Sequence, residues 1–303
     1  MKLNPDYTED AVSLIMASHL SVTHFPKLRF SIEPISRKRE RWLGADARLL
    51  SKAKGFLPFY MQFKRPFGHS EPSRAKVVQE RKKLKPPLET SPTTLYFGLQ
   101  DKRQEHRDYQ HNVLFRLRER LRRRQIGDAA YVCPLFLERQ AYVFAAHASG
   151  VLNWLRRWPS YPYKVKWILI NEPHHLADAF NDIPVFSEHV SIPPHALVSS
   201  AKHSYSFTEE GTELCFHSPL SLPEGAEPFA RWLGGLANLA VTGEVLVNEE
   251  NSQGILSDLM SASGDYDGLT PEDQEGGFSG WFAFGAHLRE RYSIEQYAFV
   301  LHD

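Results

Sequence analysis

Two cysteines in 303 residues, Cys133 and Cys215, are too few for a disulfide framework and too far apart for a zinc-binding pair. No apolar run approaches the roughly 18 residues of a membrane span. The start, Met1-Lys2-Leu3-Asn4-Pro5-Asp6, lacks the apolar stretch of a signal peptide, so a reducing cytoplasm and no membrane contact are expected. Absent too are a Gly-rich loop ending in Lys-Ser/Thr, a dinucleotide fingerprint and a Gly-x-Ser-x-Gly elbow. These gaps exclude the common nucleotide-binding and serine-hydrolase signatures.

Net charge is missing as well, since 36 Lys and Arg balance 36 Asp and Glu. The zero sum conceals a division. Residues 1–130 carry 27 basic against 14 acidic side chains, a net of +13, while residues 131–303 carry 9 against 22, a net of −13. With 42% hydrophobic and 12% aromatic residues the chain has material for a substantial core.

In the basic half, Gly44-Ala45-Asp46 precedes the strand-like run Phe59-Tyr60-Met61-Gln62-Phe63-Lys64. Side chains of a strand alternate between faces, which sets Gln62 and Lys64 on one side. Ala45 to Leu50 reads as a second short strand, and Ser51-Lys52-Ala53-Lys54-Gly55 as the loop of a hairpin. If Leu50 pairs with Pro58, Asp46 lies opposite Gln62, with Cβ atoms roughly 4.5–5.5 Å apart. An aspartate and an amide oxygen are hard ligands suited to Mg²⁺, and a lysine two residues on can stabilise charge on a phosphodiester under attack. The chemistry implied is metal-assisted phosphodiester hydrolysis.

This pattern, Gly-x-Asp, a loop, then a hydrophobic residue and Gln-x-Lys, resembles the PD-(D/E)xK, or restriction-endonuclease-like, nuclease superfamily in its variant with Gln at the second acidic position. The resemblance covers residues 8 to about 137. It implies an α/β fold with a mixed central sheet flanked by helices, built from an N-terminal helix, three strands, a helix and a fourth strand. By that resemblance Asp46 and Gln62 ligate Mg²⁺ or Mn²⁺, Lys64 assists the nucleophile, and Glu9 on the first helix completes the site. The implied activity is metal-dependent DNA endonuclease action, with defence against foreign DNA as the implied role. Two features depart from the commonest pattern. Gln62 replaces a carboxylate, for which Glu9 or Glu40 would compensate, and the Gln-x-x-x-Tyr spacing of the exonuclease branch is missing, because Gln104 and Gln110 are followed by Asp108 and Leu114.

A positive field around such a site attracts nucleic acid. Arg37, Lys38, Arg39 and Arg41 precede the Asp46 motif; Arg65 adjoins Lys64; Arg81, Lys82, Lys83 and Lys85 fall in a Pro-rich insertion. Arg37, Lys38, Arg39, Arg41, Arg65, Lys82 and Lys83 are the expected DNA contacts, set against the alternative that charge runs form solvated faces. Val113, Leu114, Leu117 and Leu121 predict an amphipathic helix from about Asp101 to Gln125 that Gly127 and Asp128 end. Gln110 and His111, ahead of that stripe, face either the site with its DNA or the solvent. Ala129 to Leu137 and Lys166 to Ile170 read as buried strands.

Downstream, Ser204–Phe207 and Glu213–Phe216 predict a hairpin, Pro228 to Leu239 a short helix, and the acidic, Gly/Ser-rich residues 244–277 a mobile loop. His174-His175 lacks a third ligand at metal spacing, and the Asp265-x-Asp267-Gly268 run lacks the rest of a calcium loop. The expected organisation is a nuclease core over residues 1–200 and an acidic α+β extension over residues 201–303. Three readings of function stand: the endonuclease, paired as a homodimer or with a defence partner protein to cut both strands; a catalytically inactive nuclease-fold module that binds nucleic acid or a partner protein; and a basic face restrained by the acidic half.

Overall fold

The computed structural model describes residues 1–22, 30–35, 53–156, 180–181, 183–217, 219–222, 225–242, 246–264 and 278–301. The first half runs β1 (Lys2–Leu3), α1 (Glu9–Val22), β2 (Phe30–Pro34), β3 (Gly55–Phe63), β4 (Phe67–Ser70), α2 (Lys76–Lys83), β5 (Thr93–Gly98), α3 (Gln110–Arg124), β6 (Asp128–Pro134) and α4 (Arg139–Arg156). The second continues with α5 (Pro184–Ser187), β7 (His189–Ile192), β8 (Ser204–Thr208), β9 (Cys215–Phe216), β10 (Leu220–Ser221) and β11 (Glu227–Pro228). It closes with α6 (Phe229–Thr242), α7 (Ser252–Ser263), α8 (Ser279–Tyr292) and β12 (Glu295–Leu301).

These elements form a mixed α/β structure with two six-stranded sheets. The central sheet has the order β11-β7-β6-β3-β12-β2 and is antiparallel except between β3 and β6. The second sheet, β1-β4-β5-β8-β9-β10, is antiparallel throughout. Parallel pairing needs a long crossover, and here α3 supplies the helix that returns the chain beside β3.

All nine residues of β3 are buried, so its alternation divides two cores rather than core from solvent. Phe56 and Tyr60 join Leu114, Leu117 and Leu121 of α3, Leu259 of α7 and Trp281 of α8. Leu57, Phe59, Met61 and Phe63 join Val12, Met16 and Leu20 of α1 and Leu233 of α6. Leu95, Phe97, Tyr205 and Phe207 tie one face of the second sheet to the α3 core.

Several expectations change. Helix α3 starts at Gln110, nine residues later than predicted, because the Asp108 carboxylate accepts from Asn112 Nδ2 at 2.7 Å and pairs with Arg116 at the first turns, while residues 101–109 carry no apolar stripe. Residues 252–263, predicted as part of a loop, form α7: Ile255, Leu256, Leu259 and Ala262 recur at helical spacing and are buried, and the Gly and acid content that suggested a loop concentrates beyond Ser263. The division at residue 200 is not a division of the sheets, since β12 lies between β3 and β2 and β8 pairs with β5. The predicted hairpin ladder through residues 59–61 has no edge to use, because β12 holds one side of those residues and β6 the other. The predicted strand 45–50 itself, the strand 166–170, the His174-His175 pair and the Asp265 run lie outside the described residues. Among the described residues no helix is long and apolar enough to cross a membrane.

Because β12 occupies an interior position, a chain ending at Tyr292 is expected to lose its cooperative thermal transition, read by circular dichroism. Wild-type melting in that shortened chain would contradict the sheet order.

Candidate functional site

The ladder between β3 and β12 ends at Met61 and Glu295, whereas pairing with β6 continues through Phe63, and Lys64 N–H still donates to Val132 O at 2.9 Å. Gln62 and Lys64 thus stand at the C-terminal end of the central parallel pair, the position where α/β sheets present their chemistry. Both are buried, Gln62 at 1% and Lys64 at 2% exposure. Buried polar groups are normally satisfied. Among the described residues, however, neither Gln62 Oε1 nor Nε2 has a hydrogen-bond partner, and Tyr60 Oη and Gln296 Oε1 are in the same condition on the same face.

Lys64 Nζ lies 3.5 Å from Gln110 Oε1 at the start of α3, and Gln110 Nε2 donates to Tyr292 O at the end of α8. The amide is thereby oriented with its oxygen toward the ammonium. Burial lowers the Lys64 pKa, with Glu9 the largest opposing influence and Cys133 the next. Burial likewise pushes the Cys133 thiol well above its usual range, with Glu9 adding to the rise and Lys64 opposing it. Glu9, in the first turn of α1, therefore acts electrostatically on the same end of the sheet.

His111 belongs to the interior instead. Its Nε2 lies 2.7 Å from Ala196 O, which fixes that nitrogen as the donor, and Nδ1 then accepts from Tyr131 Oη at 2.8 Å. Burial pushes its pKa down to about 4, so the ring is neutral and both nitrogens are committed. The expected DNA contact at His111 is replaced by a structural one; Gln110, 7% exposed, is similarly turned inward.

The basic clusters separate in the same way. Arg81 is fully buried, donating to Glu89 O at 2.9 Å, to Ser206 O and Oγ at 3.1 Å and to Glu213 O at 2.8 Å, so it ties α2 to the second sheet rather than meeting phosphate. Lys82 pairs with Glu71 at 2.7 Å, and Lys83 is exposed. Arg65 donates to Tyr7 O at 3.1 Å and lies over the Phe67 ring at 5.6 Å. On α3, Arg118 meets Asp128 at 3.2 Å, and Arg120 and Arg124 meet Asp258 of α7 at 3.3 and 2.9 Å. Asp46, Glu40, Arg37, Lys38, Arg39 and Arg41 lie outside the described residues.

No protein family, curated protein or solved structure matches the chain. Among the described residues no three His, Cys, Asp or Glu side chains are grouped to hold a metal ion. Gln62 Oε1, without a partner among the described residues, and the Glu9 carboxylate that acts on Lys64 are oxygen donors of the hard type a divalent cation takes.

Sequence reasoning missed Glu295, a buried acid at the start of β12 that pairs with Arg289 at 2.9 Å and accepts from Ser13 Oγ at 3.4 Å. Its position one residue across from the Gln62 motif depends on a strand pairing that no local pattern announces. One tempting constellation is closed. Ser206 Oγ, His217 Nε2 at 2.8 Å and Glu80 at 2.6 Å from His217 Nδ1 have the order of nucleophile, base and acid, yet Ser206 is wholly buried and its Oγ already accepts from Arg81.

The folded pKa of Lys64 is lower than the unfolded one, so the unfolded chain binds more protons between the two values and stability rises with pH across that window. Lys64→Met, which removes a buried charge, is expected to stabilise the fold by about 1 kcal/mol or more at neutral pH. Urea unfolding of both proteins from neutral pH toward the usual lysine range checks this: the gap narrows as pH rises. A destabilised Lys64→Met protein would contradict it.

Proposed function

We propose that the chain is a restriction-endonuclease-like nuclease that hydrolyses DNA with Mg²⁺ or Mn²⁺. The observation that carries this reading is the end of β3: a buried Gln62 amide with no partner among the described residues, followed two residues on by a buried Lys64 held between Gln110 and the field of Glu9. The order α1, β2, β3, α3, β6 supports it, with β4, α2 and β5 inserted after β3 and residues 45–50 outside the described residues.

Gln62 Oε1, the Asp46 carboxylate and Glu9 would hold the cation. When bound, it supplies Lewis-acid polarisation of a phosphodiester oxygen and an acidified water. The Lys64 ammonium, kept in place by the Gln110 oxygen, neutralises the negative charge that develops as the water oxygen bonds to phosphorus and the bond to the sugar oxygen breaks. The N-terminus of α3, which opens at Gln110, adds partial positive charge on the same side. The low exposure of Gln62 and Lys64 favours a second reading, a nuclease fold that binds nucleic acid or a partner without cutting.

Cleavage of supercoiled plasmid and single-stranded DNA separates the two. Metal-dependent cutting is expected with Mg²⁺ or Mn²⁺, lost in EDTA and reduced about 100-fold or more in Asp46→Ala and Lys64→Ala. Cutting that survives EDTA or both substitutions would sink the proposal, and DNA binding without cutting would establish the silent module.

A further inference from the structure

The second sheet has one face in the core and one outside it. Pairing of Lys2 with His69 and of Phe67 with Tyr96 sets these side chains together on the face opposite Leu95, Phe97, Tyr205 and Phe207; Arg81 of α2 covers that face at Ser206, and the part formed by β1, β4 and Tyr96 is left partly exposed. Sheet faces left outside a core are normally polar. This one carries a strip of half-exposed rings: Phe67 and Tyr96 have centroids 5.8 Å apart, and His69 is stacked on Tyr96 at 5.2 Å with 7° between the planes.

Cations surround the strip. Lys2 Nζ stands 4.8 Å above the Phe67 ring, and the Arg65 guanidinium 5.6 Å from it. Beside Tyr96 opens a cavity of about 270 Å³ lined by His69, Lys76, Lys202, Ser204 and His217, in which Lys76 and Lys202 are exposed. Its one acid, Glu80, is engaged by His217 at 2.6 Å and Lys76 at 3.6 Å. Cross-strand aromatic pairs stabilise a sheet without help from charge. Four basic side chains ringing flat, accessible rings match instead the needs of a polyanion whose bases are free to stack.

We propose that this outer face is a binding platform for a single strand of DNA, with bases stacked on the Phe67, Tyr96 and His69 strip and phosphates held by Lys2, Arg65, Lys76 and Lys202. Stacking on rings requires unpaired bases, so the surface selects a single strand over a duplex. The choice of DNA over RNA rests on the nuclease reading; the platform itself does not. Arg65, the residue after Lys64, joins the platform to the end of β3.

Fluorescence anisotropy of a labelled oligothymidylate, titrated with the full chain in EDTA, tests it. Tyr96→Ala is expected to weaken binding about tenfold, as loss of one base stack does. Lys76→Glu/Lys202→Glu, on exposed side chains that the fold does not require, is expected to weaken binding and lower the salt slope by about 1 or more. Wild-type affinity in both variants, or equal binding of a blunt duplex, overturns the platform; tighter capture of an oligouridylate overturns its assignment to DNA. Since EDTA removes any cleavage, loss of metal-dependent cutting in the plasmid assay leaves this result standing, and the two readings fail separately.

Discussion

Seven residues of β12 pair with β3, from Leu301 with Gly55 to Glu295 with Met61, and β6 takes the opposite edge from Phe59 onward. That double pairing makes β3 an interior strand with helices on both faces, and the remaining architecture follows from it. Phe56 packs edge-on against Trp281 of α8 at 5.0 Å, while Phe59 stacks on Tyr297 at 5.5 Å. Every side chain of β3 must then be accommodated in dry surroundings. Where the β12 ladder stops, Gln62 and Lys64 stay buried beside β6, and among the described residues the Gln62 amide has no hydrogen-bond partner. Such polarity costs about 1–3 kcal/mol per group when unpaired. A chain tolerates that where the groups have work to do.

The charge division of the sequence is resolved by contact. Acids of the second half meet basic side chains of the first: Asp258 bridges Arg120 and Arg124, and Glu213 closes on Arg81. The acidic half thus covers part of the basic helix, as one sequence reading held, but it does so as an integral layer of the core, through Leu256 and Leu259, and not as a detachable tail. Arg122 and Arg123 of α3 remain exposed.

What could be read from the sequence was local. The alternation of β3, the stripe Val113, Leu114, Leu117 and Leu121, the apolar run of β6, the β8 and β9 hairpin and the helix after Pro228 all rest on neighbours a few residues away, and each element is present. Long-range pairing was not legible. Residues 295–301 find their partners more than 230 positions earlier, at residues 55–61 and 30–34, and nothing in Glu-Gln-Tyr-Ala-Phe-Val-Leu points there. β4 and β5 were hidden by the Pro-rich insertion between them, and α7 by averaging its apolar turns with the acidic stretch beyond. At the site, the two-residue spacing of Gln62 and Lys64 was a local signal; both side chains are buried, with Lys64 just past the end of β3. The role of His111 had no such signal, because Tyr131 and Ala196, which consume its nitrogens, come from a strand and a loop remote in sequence.

The proposed cation site at the end of β3 depends on Gln62. Calorimetric titration of Mn²⁺ into the wild-type chain and Gln62→Leu tests it directly. Stoichiometric binding in the wild type, weakened about tenfold or more in the variant while its melting transition is retained, is expected. Equal Mn²⁺ affinity in the two proteins, or none in the wild type, would contradict it.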